Sequence, residues 1–273
     1  MGIARRDVLV ALGATVAGAA GALGSDRAVA DAHDRVPLPF YGTSVSGIRP
    51  DESAPGATRS SVVWAGETGG RRRLALTFDD GPDPQWTPRV LATLARHGVP
   101  ATFFLRGDHL SQHAQVYAGH EHHEFANHTW DHPDLGRFTY AQVVDQLGRT
   151  GDEIARVFGR RPTLFRPPYG HVGGSTMLAA AEAGLTTVFW SSQMREDRRA
   201  ADPDAIVGDI RGQVRPGHIV LAHDSGSADR VITIDHLDAI VAGLKDDGYE
   251  LVTVSDLLAA APAPAPASAH LST

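Results

Sequence analysis

Asp79 and Asp80 stand side by side after a short apolar run, Leu74, Ala75, Leu76 and Phe78, and Gly81-Pro82 follows them. Adjacent carboxylates repel, so such a pair is comfortable in solvent, beside cations or around a metal. On a strand, successive side chains point to opposite faces, but a turn at the strand's end can bring both into one pocket. Taken alone, Asp-Asp-Gly-Pro reads as an acidic turn. His128-Thr129-Trp130-Asp131-His132 adds two histidines four apart, the spacing of one face of a helical turn, where both can grip one ion. With 14 histidines in the chain, such a pair also arises by chance. The metalloprotease version of the motif carries Glu after the first His, and Thr129 holds that place here, which disfavours a protease. A two-histidine site needs a carboxylate to complete three protein ligands around an open position for water. Asp79 or Asp80 would serve, and its neighbour would then be free to act as a base.

The other chemically able residues also fall at the ends of strand-like runs. Arg166-Pro167-Pro168-Tyr169-Gly170 follows one run, Trp190 ends another, and Leu221-Ala222-His223 ends a third. Each has a plainer reading: Arg166 as a structural cation, Trp190 as core, His223 as a satisfied core histidine. Strand-like runs lie at 74–78, 101–105, 124–127, 163–166, 186–190, 218–222 and 249–254. Helix-like segments lie between them, near 87–97, 109–118, 139–158, 174–183, 203–213 and 234–246, with a short one at 255–260. The segment 139–158 is the clearest, with Val143, Val144, Leu147, Ile154, Val157 and Phe158 on helical spacing and Thr139 as N-cap. This alternation predicts an α/β fold of parallel βα units, either a closed or nearly closed barrel or an open doubly wound sheet. No Gly-x-Gly-x-x-Gly follows the first strand, which counts against a dinucleotide fold. In parallel β/α folds the C-terminal strand ends form one face, where catalytic residues collect.

The 273 residues, 42% of them hydrophobic, can bury a full core, and the formal charge of −7 argues against nucleic acid as a partner. Arg5-Arg6, an apolar Gly/Ala-rich run to Leu23 and Ala28-Val29-Ala30 read as a cleavable twin-arginine-like signal over residues 1–30. That run is short of the roughly 20 residues a membrane span needs. Residues 31–70 read as a linker or N-terminal arm, 71–260 as the globular domain, and the Ala/Pro-rich 261–273 as a disordered tail. Without cysteines, an exported domain must rest on its core, helped by any metal it binds. His120-Glu121-His122-His123-Glu124 reads as a solvated loop in preference to a second metal site.

Thr77-Phe-Asp-Asp-Gly-Pro82, His128-Thr-Trp-Asp-His132, Arg166-Pro-Pro-Tyr169 and Leu221-Ala-His223, in that order, resemble the polysaccharide deacetylases, the NodB-homology domains of carbohydrate esterase family 4. The resemblance covers roughly 71–260 and implies a distorted (β/α)7 barrel. It also implies a divalent metal, usually zinc, and hydrolytic removal of acetyl groups from sugars. Carried over, Asp80, His128 and His132 would bind the metal, Asp79 would be the general base and Arg166 would hold it. The backbone N–H of Tyr169 would help bind the oxyanion, His223 would be the general acid, and Trp190 and Leu221 would line the acetyl pocket. One stretch departs from the family: Trp190-Ser-Ser-Gln-Met-Arg-Glu-Asp-Arg198 lacks the usual Asp-Trp pair. Glu196 is the nearest counterpart of the Asp that orients the catalytic His, with Asp197 and Asp224 behind it. The expectation is therefore a secreted, monomeric, zinc-dependent deacetylase of N-acetylated poly- or oligosaccharides, of peptidoglycan or chitin type. An O-acetyl esterase on xylan-type substrates and a non-catalytic glycan-binding module are the rivals.

Overall fold

The computed structural model describes residues 60–194, 205–226 and 230–259. The signal-like segment 1–30, most of the 31–70 arm, Glu196, Asp197 and the 261–273 tail lie outside them. Nine strands make one sheet, and every paired ladder in it is parallel. They are β1 (Val62–Val63), β2 (Arg73–Asp79), β3 (Thr102–Leu105), β4 (Glu124–Asn127), β5 (Leu164–Phe165), β6 (Thr186–Val188), β7 (Ser192–Gln193), β8 (Ile219–His223) and β9 (Glu250–Val252). The helices are α1 (Thr87–His97), α2 (Gly107–His113), α3 (Tyr140–Phe158), α4 (Gly174–Glu182), α5 (Ala205–Gln213), α6 (Val231–Asp246) and α7 (Val254–Ala259).

The sheet runs β2, β3, β4, β5, β6 by lateral pairing, continues along the chain to β7, and returns through β8 to β2. That path curls into a distorted β/α barrel, the expected architecture, with no ladder between β6 and β7 among the described residues. β9 pairs with the first half of β2 on the edge that β3 takes over further along. The seven anticipated strand runs all have counterparts. Alternation within β2 explains both the core and the site. Leu74, Leu76 and Phe78 face the helices and pack with Leu91, Leu94, Phe103 and Leu237. Ala75 faces the interior with Phe104, Ala126, Leu164, Val188 and Ile219. Thr77 and Asp79, in phase with Ala75, point inward too. α7 plugs the opposite end through Val254 and Leu257.

Local signals explain the helix limits. Thr139 and Gln142 form a reciprocal capping box at the start of α3, and Gly98 in the left-handed region closes α1. Several boundaries differ from the sequence reading, and β7 falls where no strand was expected. The folded part begins before Arg71, because Val62 and Val63 pair with Thr187 and Val188, and Ala65 bridges to His218. The run Val62-Val63-Trp64-Ala65 is too short to carry a periodicity from which to read a strand. Likewise α6 starts at Val231, ahead of the expected 234.

Candidate active site and metal centre

Parallel pairing brings the C-terminal strand ends to one rim. Asp79, the last residue of β2, is in register with Phe104 of β3 and His223 of β8. Leu105 of β3 pairs with Asn127 of β4, and Asn127 with Phe165 of β5, so His128 and Arg166 emerge beside Asp79. Asp80 has φ 77, a left-handed turn that swings its side chain back toward the interior its strand phase would have denied it. Both aspartates are buried, at 3% and 6% exposure, so the solvated acidic turn is excluded.

Arg166 is fully buried and each of its three guanidinium nitrogens donates a hydrogen bond. Nη1 donates to Asp79 Oδ1 at 2.6 Å and to Thr77 Oγ1 at 2.8 Å, while Nε and Nη2 donate to the carbonyls of Val188 and Phe189. Its guanidinium lies 4.0 Å from the Phe104 ring centroid. Burial lowers its pKa and the Asp79 carboxylate opposes that fall. Arg166 thus fixes one oxygen of Asp79 and leaves Oδ2 on the side of His128, 3.7 Å from its Nε2.

The histidine pair is not on a helical turn, as the spacing suggested. It spans a loop after β4 in which Thr129 and His132 both have positive φ, 70° and 63°. Such a loop is strained for non-glycine residues and is held by its surroundings. Thr129 N donates to Asn127 Oδ1, Trp130 N to Gln146 Oε1 of α3, and His132 N to Thr129 Oγ1. The carbonyls of Thr129 and Trp130 accept from Gly107 and Asp108 at the start of α2.

His128 Nδ1 lies 2.7 Å from the Arg166 carbonyl, which only accepts, so the neutral ring carries its proton on Nδ1 and turns the Nε2 lone pair to the rim. Asp80 Oδ1 lies 3.5 Å from His128 Nε2 and 3.2 Å from His132 Nε2, and is buried without a hydrogen-bond partner. Ligand atoms of the three residues fall within 4.8 Å of one another, the one such cluster among the described residues. A buried orphan carboxylate oxygen facing two imidazole nitrogens fits a divalent cation with an open position. Burial works against the charge of Asp80, yet the neighbouring imidazoles, His128 first with His223 and His132 behind it, hold its carboxyl well below the usual range. Burial and the neighbouring His128 push His132 down to about 4, so it is a neutral imidazole at ordinary pH, with a nitrogen lone pair able to ligate.

Tyr169 has φ 59 in the turn after β5, is 61% exposed, and meets the His132 ring edge-on at 4.6 Å between centroids. Trp190 packs over Gly170, where an added Cβ would lie 3.2 Å from its ring, and donates from Nε1 to Gln193 Oε1. Leu221 shares the inner face of β8 with His223 and is buried. Those residues therefore gather at one rim with Asp80, His128 and His132; Glu196 lies outside the described residues, so its pairing with His223 is a proposal.

Asp224 stands apart from the role reserved for it behind Glu196. Its carboxylate is buried, accepts from Thr87 Oγ1 at 2.7 Å and lies beneath Gly81, where a Cβ would approach within 2.5 Å. Burial, with the charges of Asp80 and Asp79, pushes its carboxyl up to about 7. Through Thr87, which also accepts from Asp83 N, it ties the turn carrying Asp79 and Asp80 to the end of β8. Sequence reading missed Arg230, whose Nη1 donates to Asp80 Oδ2 at 2.5 Å and to the Ser225 carbonyl at 2.7 Å. A lone arginine near the start of a helix carries no signal of that contact. The stretch from His120 is the loop expected, with Glu121 and His122 exposed, but His123 is not solvated. His123 is 1% exposed, packs edge-on against Phe103, and accepts the Ala101 N–H on Nδ1. Its proton is therefore on Nε2, which leaves no lone pair for a metal.

The model of the family described as polysaccharide deacetylase matches residues 66–188. A peptidoglycan-N-acetylglucosamine deacetylase of Bacillus cereus is 32% identical over 189 residues, 68% of this chain and 68% of the relative. A chitooligosaccharide deacetylase of Bradyrhizobium sp. is 36% identical over 199 residues, 68% of this chain and 90% of the relative. The crystal structure of a peptidoglycan N-acetylglucosamine deacetylase bound to a naphthyl N-hydroxybenzamide superposes with a TM-score of 0.69 at 30% identity, over 74% of this chain and 94% of that one. With the shared fold and the rim that gathers Asp79, Asp80, His128, His132, Arg166 and His223, these similarities place the chain in the polysaccharide deacetylase family.

Proposed function

We propose that the chain is an exported, metal-dependent hydrolase that removes acetyl groups from N-acetylated glycans of peptidoglycan or chitin type. The observation that carries this reading is the division of labour between the adjacent aspartates. Asp79 is clamped by a buried guanidinium, while Asp80 offers a free oxygen to two imidazoles. A divalent ion, for which zinc is the candidate, would be held by Asp80, His128 and His132 and would supply Lewis acidity toward a water and the acetyl carbonyl. Asp79 Oδ2 takes the proton of the attacking water as its oxygen bonds to the carbonyl carbon. The backbone N–H of Tyr169 would donate to the resulting oxyanion, and Trp190 and Leu221 would enclose the acetyl methyl. His223, across the ladder from Asp79, gives a proton to the sugar nitrogen as the C–N bond breaks, so that acetate and a free amine leave. Glu196 is the residue proposed to orient the His223 ring.

Acetate release from N-acetylglucosamine oligomers, peptidoglycan and acetylated xylan, by metal-stripped and zinc-restored protein, tests the reading. Amide cleavage that disappears on stripping and returns with zinc is expected. Good ester cleavage with negligible amide cleavage would make the chain an O-acetyl esterase, since an alcohol leaving group needs the His223 proton less. Export is proposed from Arg5-Arg6 and Ala28-Val29-Ala30. N-terminal sequencing of protein from culture medium is expected to begin at Asp31; an intact Met1 in membrane fractions would argue for an anchor.

A further inference from the structure

Asp80 has two oxygens with different surroundings. Oδ1 faces His128 and His132 and has no hydrogen bond, while Oδ2 accepts from Arg230 at 2.5 Å. The same Nη1 donates to the Ser225 carbonyl, two residues beyond His223, so the guanidinium is moored to the strand end that carries the proposed acid. Gly226, at φ 115, makes room for it, since a Cβ there would lie 2.4 Å from Arg230 Nη1. Arg230 is thus fitted against the outer oxygen of a buried carboxylate whose inner oxygen is aimed into the ligand set.

We propose that Arg230 is a positioning residue that restricts Asp80 to one coordinating oxygen and weakens the site's hold on its ion. The proposal rests on the reading of Asp80, His128 and His132 as ligands. Two physical effects follow from the contact. A carboxylate whose second oxygen is occupied by a guanidinium cannot turn to bind an ion through both oxygens, so a coordination position stays open for water and substrate. A fixed positive charge one carboxylate away from a dication also repels it in a site of low dielectric, where charges are poorly screened. Arg230 therefore exchanges some metal affinity for an open coordination position. This role differs from that of Arg166, which holds the base and makes no contact with the ligand oxygen facing the histidines.

The test uses the full chain and its Arg230→Met and Arg230→Lys variants, with Asp80→Asn as control. Zinc affinity is read by chelator competition, coordination by the visible absorption of the cobalt-substituted protein, and turnover by acetate release. Arg230→Met is expected to hold zinc roughly 10-fold more tightly, opposite in sign to the roughly 10- to 100-fold loss that usually follows removal of an outer partner. Its cobalt bands should weaken as the coordination number rises, and turnover at saturating metal should fall. Arg230→Lys restores the charge and should move all three readings back toward the parent. A Met variant with parental zinc affinity and parental cobalt bands, or with weaker zinc binding, overturns the proposal. An Asp80→Asn protein that holds zinc as the parent does would remove the ligand assignment beneath it, an outcome separate from any Arg230 result.

Discussion

Asp79→Asn is expected to retain its metal while acetate release falls roughly 10²- to 10⁴-fold, the range over which a positioned acid–base group acts. The substitution keeps the shape of the side chain, and the amide oxygen can still accept from Arg166 Nη1, now 2.6 Å from Oδ1. What is lost is the basic oxygen that faces His128. Asp80→Asn is the contrasting variant. It removes the charge from the oxygen lying between His128 and His132, so metal content should fall first and activity with it. Metal analysis and turnover measured on both proteins separate the roles. If Asp79→Asn lost metal and Asp80→Asn kept it, the assignment within the pair would be exchanged.

The rim was legible in the sequence because its functional groups follow strand-like apolar runs. Phe78 precedes Asp79, Phe165 precedes Arg166, and Ala222 precedes His223, and parallel ladders turn those positions into neighbours. Short elements were beyond its reach. Val62 and Val63 pair in the sheet, yet two residues give no period to measure. The geometry of the His128–His132 loop was also hidden. Four-residue spacing suits a helical turn, but Asn127 and Gln146 capture the loop's backbone N–H groups and favour positive φ instead. Arg230 shows a further limit. It contacts Asp80 from 150 positions away, and no local pattern announces a contact made only when β2 and the end of β8 are brought together.

Arg166→Met is expected to destabilise the fold by about 3–5 kcal/mol, the usual cost of leaving one charge of a buried pair behind. Arg166 is 0% and Asp79 3% exposed, so water cannot replace the missing partner without opening the barrel interior. The loss reaches past Asp79. Thr77 Oγ1 and the carbonyls of Val188 and Phe189 each lose a donor. Methionine fills most of the volume and can rest on Phe104, so the deficit measured is electrostatic and hydrogen-bonding more than a cavity. The double variant Arg166→Met/Asp79→Asn should recover part of the lost stability, because it removes the stranded carboxylate. Denaturant unfolding of the parent, both single variants and the double variant completes the cycle. Strict additivity would mean that Arg166 serves the barrel through its carbonyl contacts alone. A positive coupling, with turnover lost in every variant that lacks either partner, identifies Arg166 as the residue that keeps Asp79 aimed at the rim.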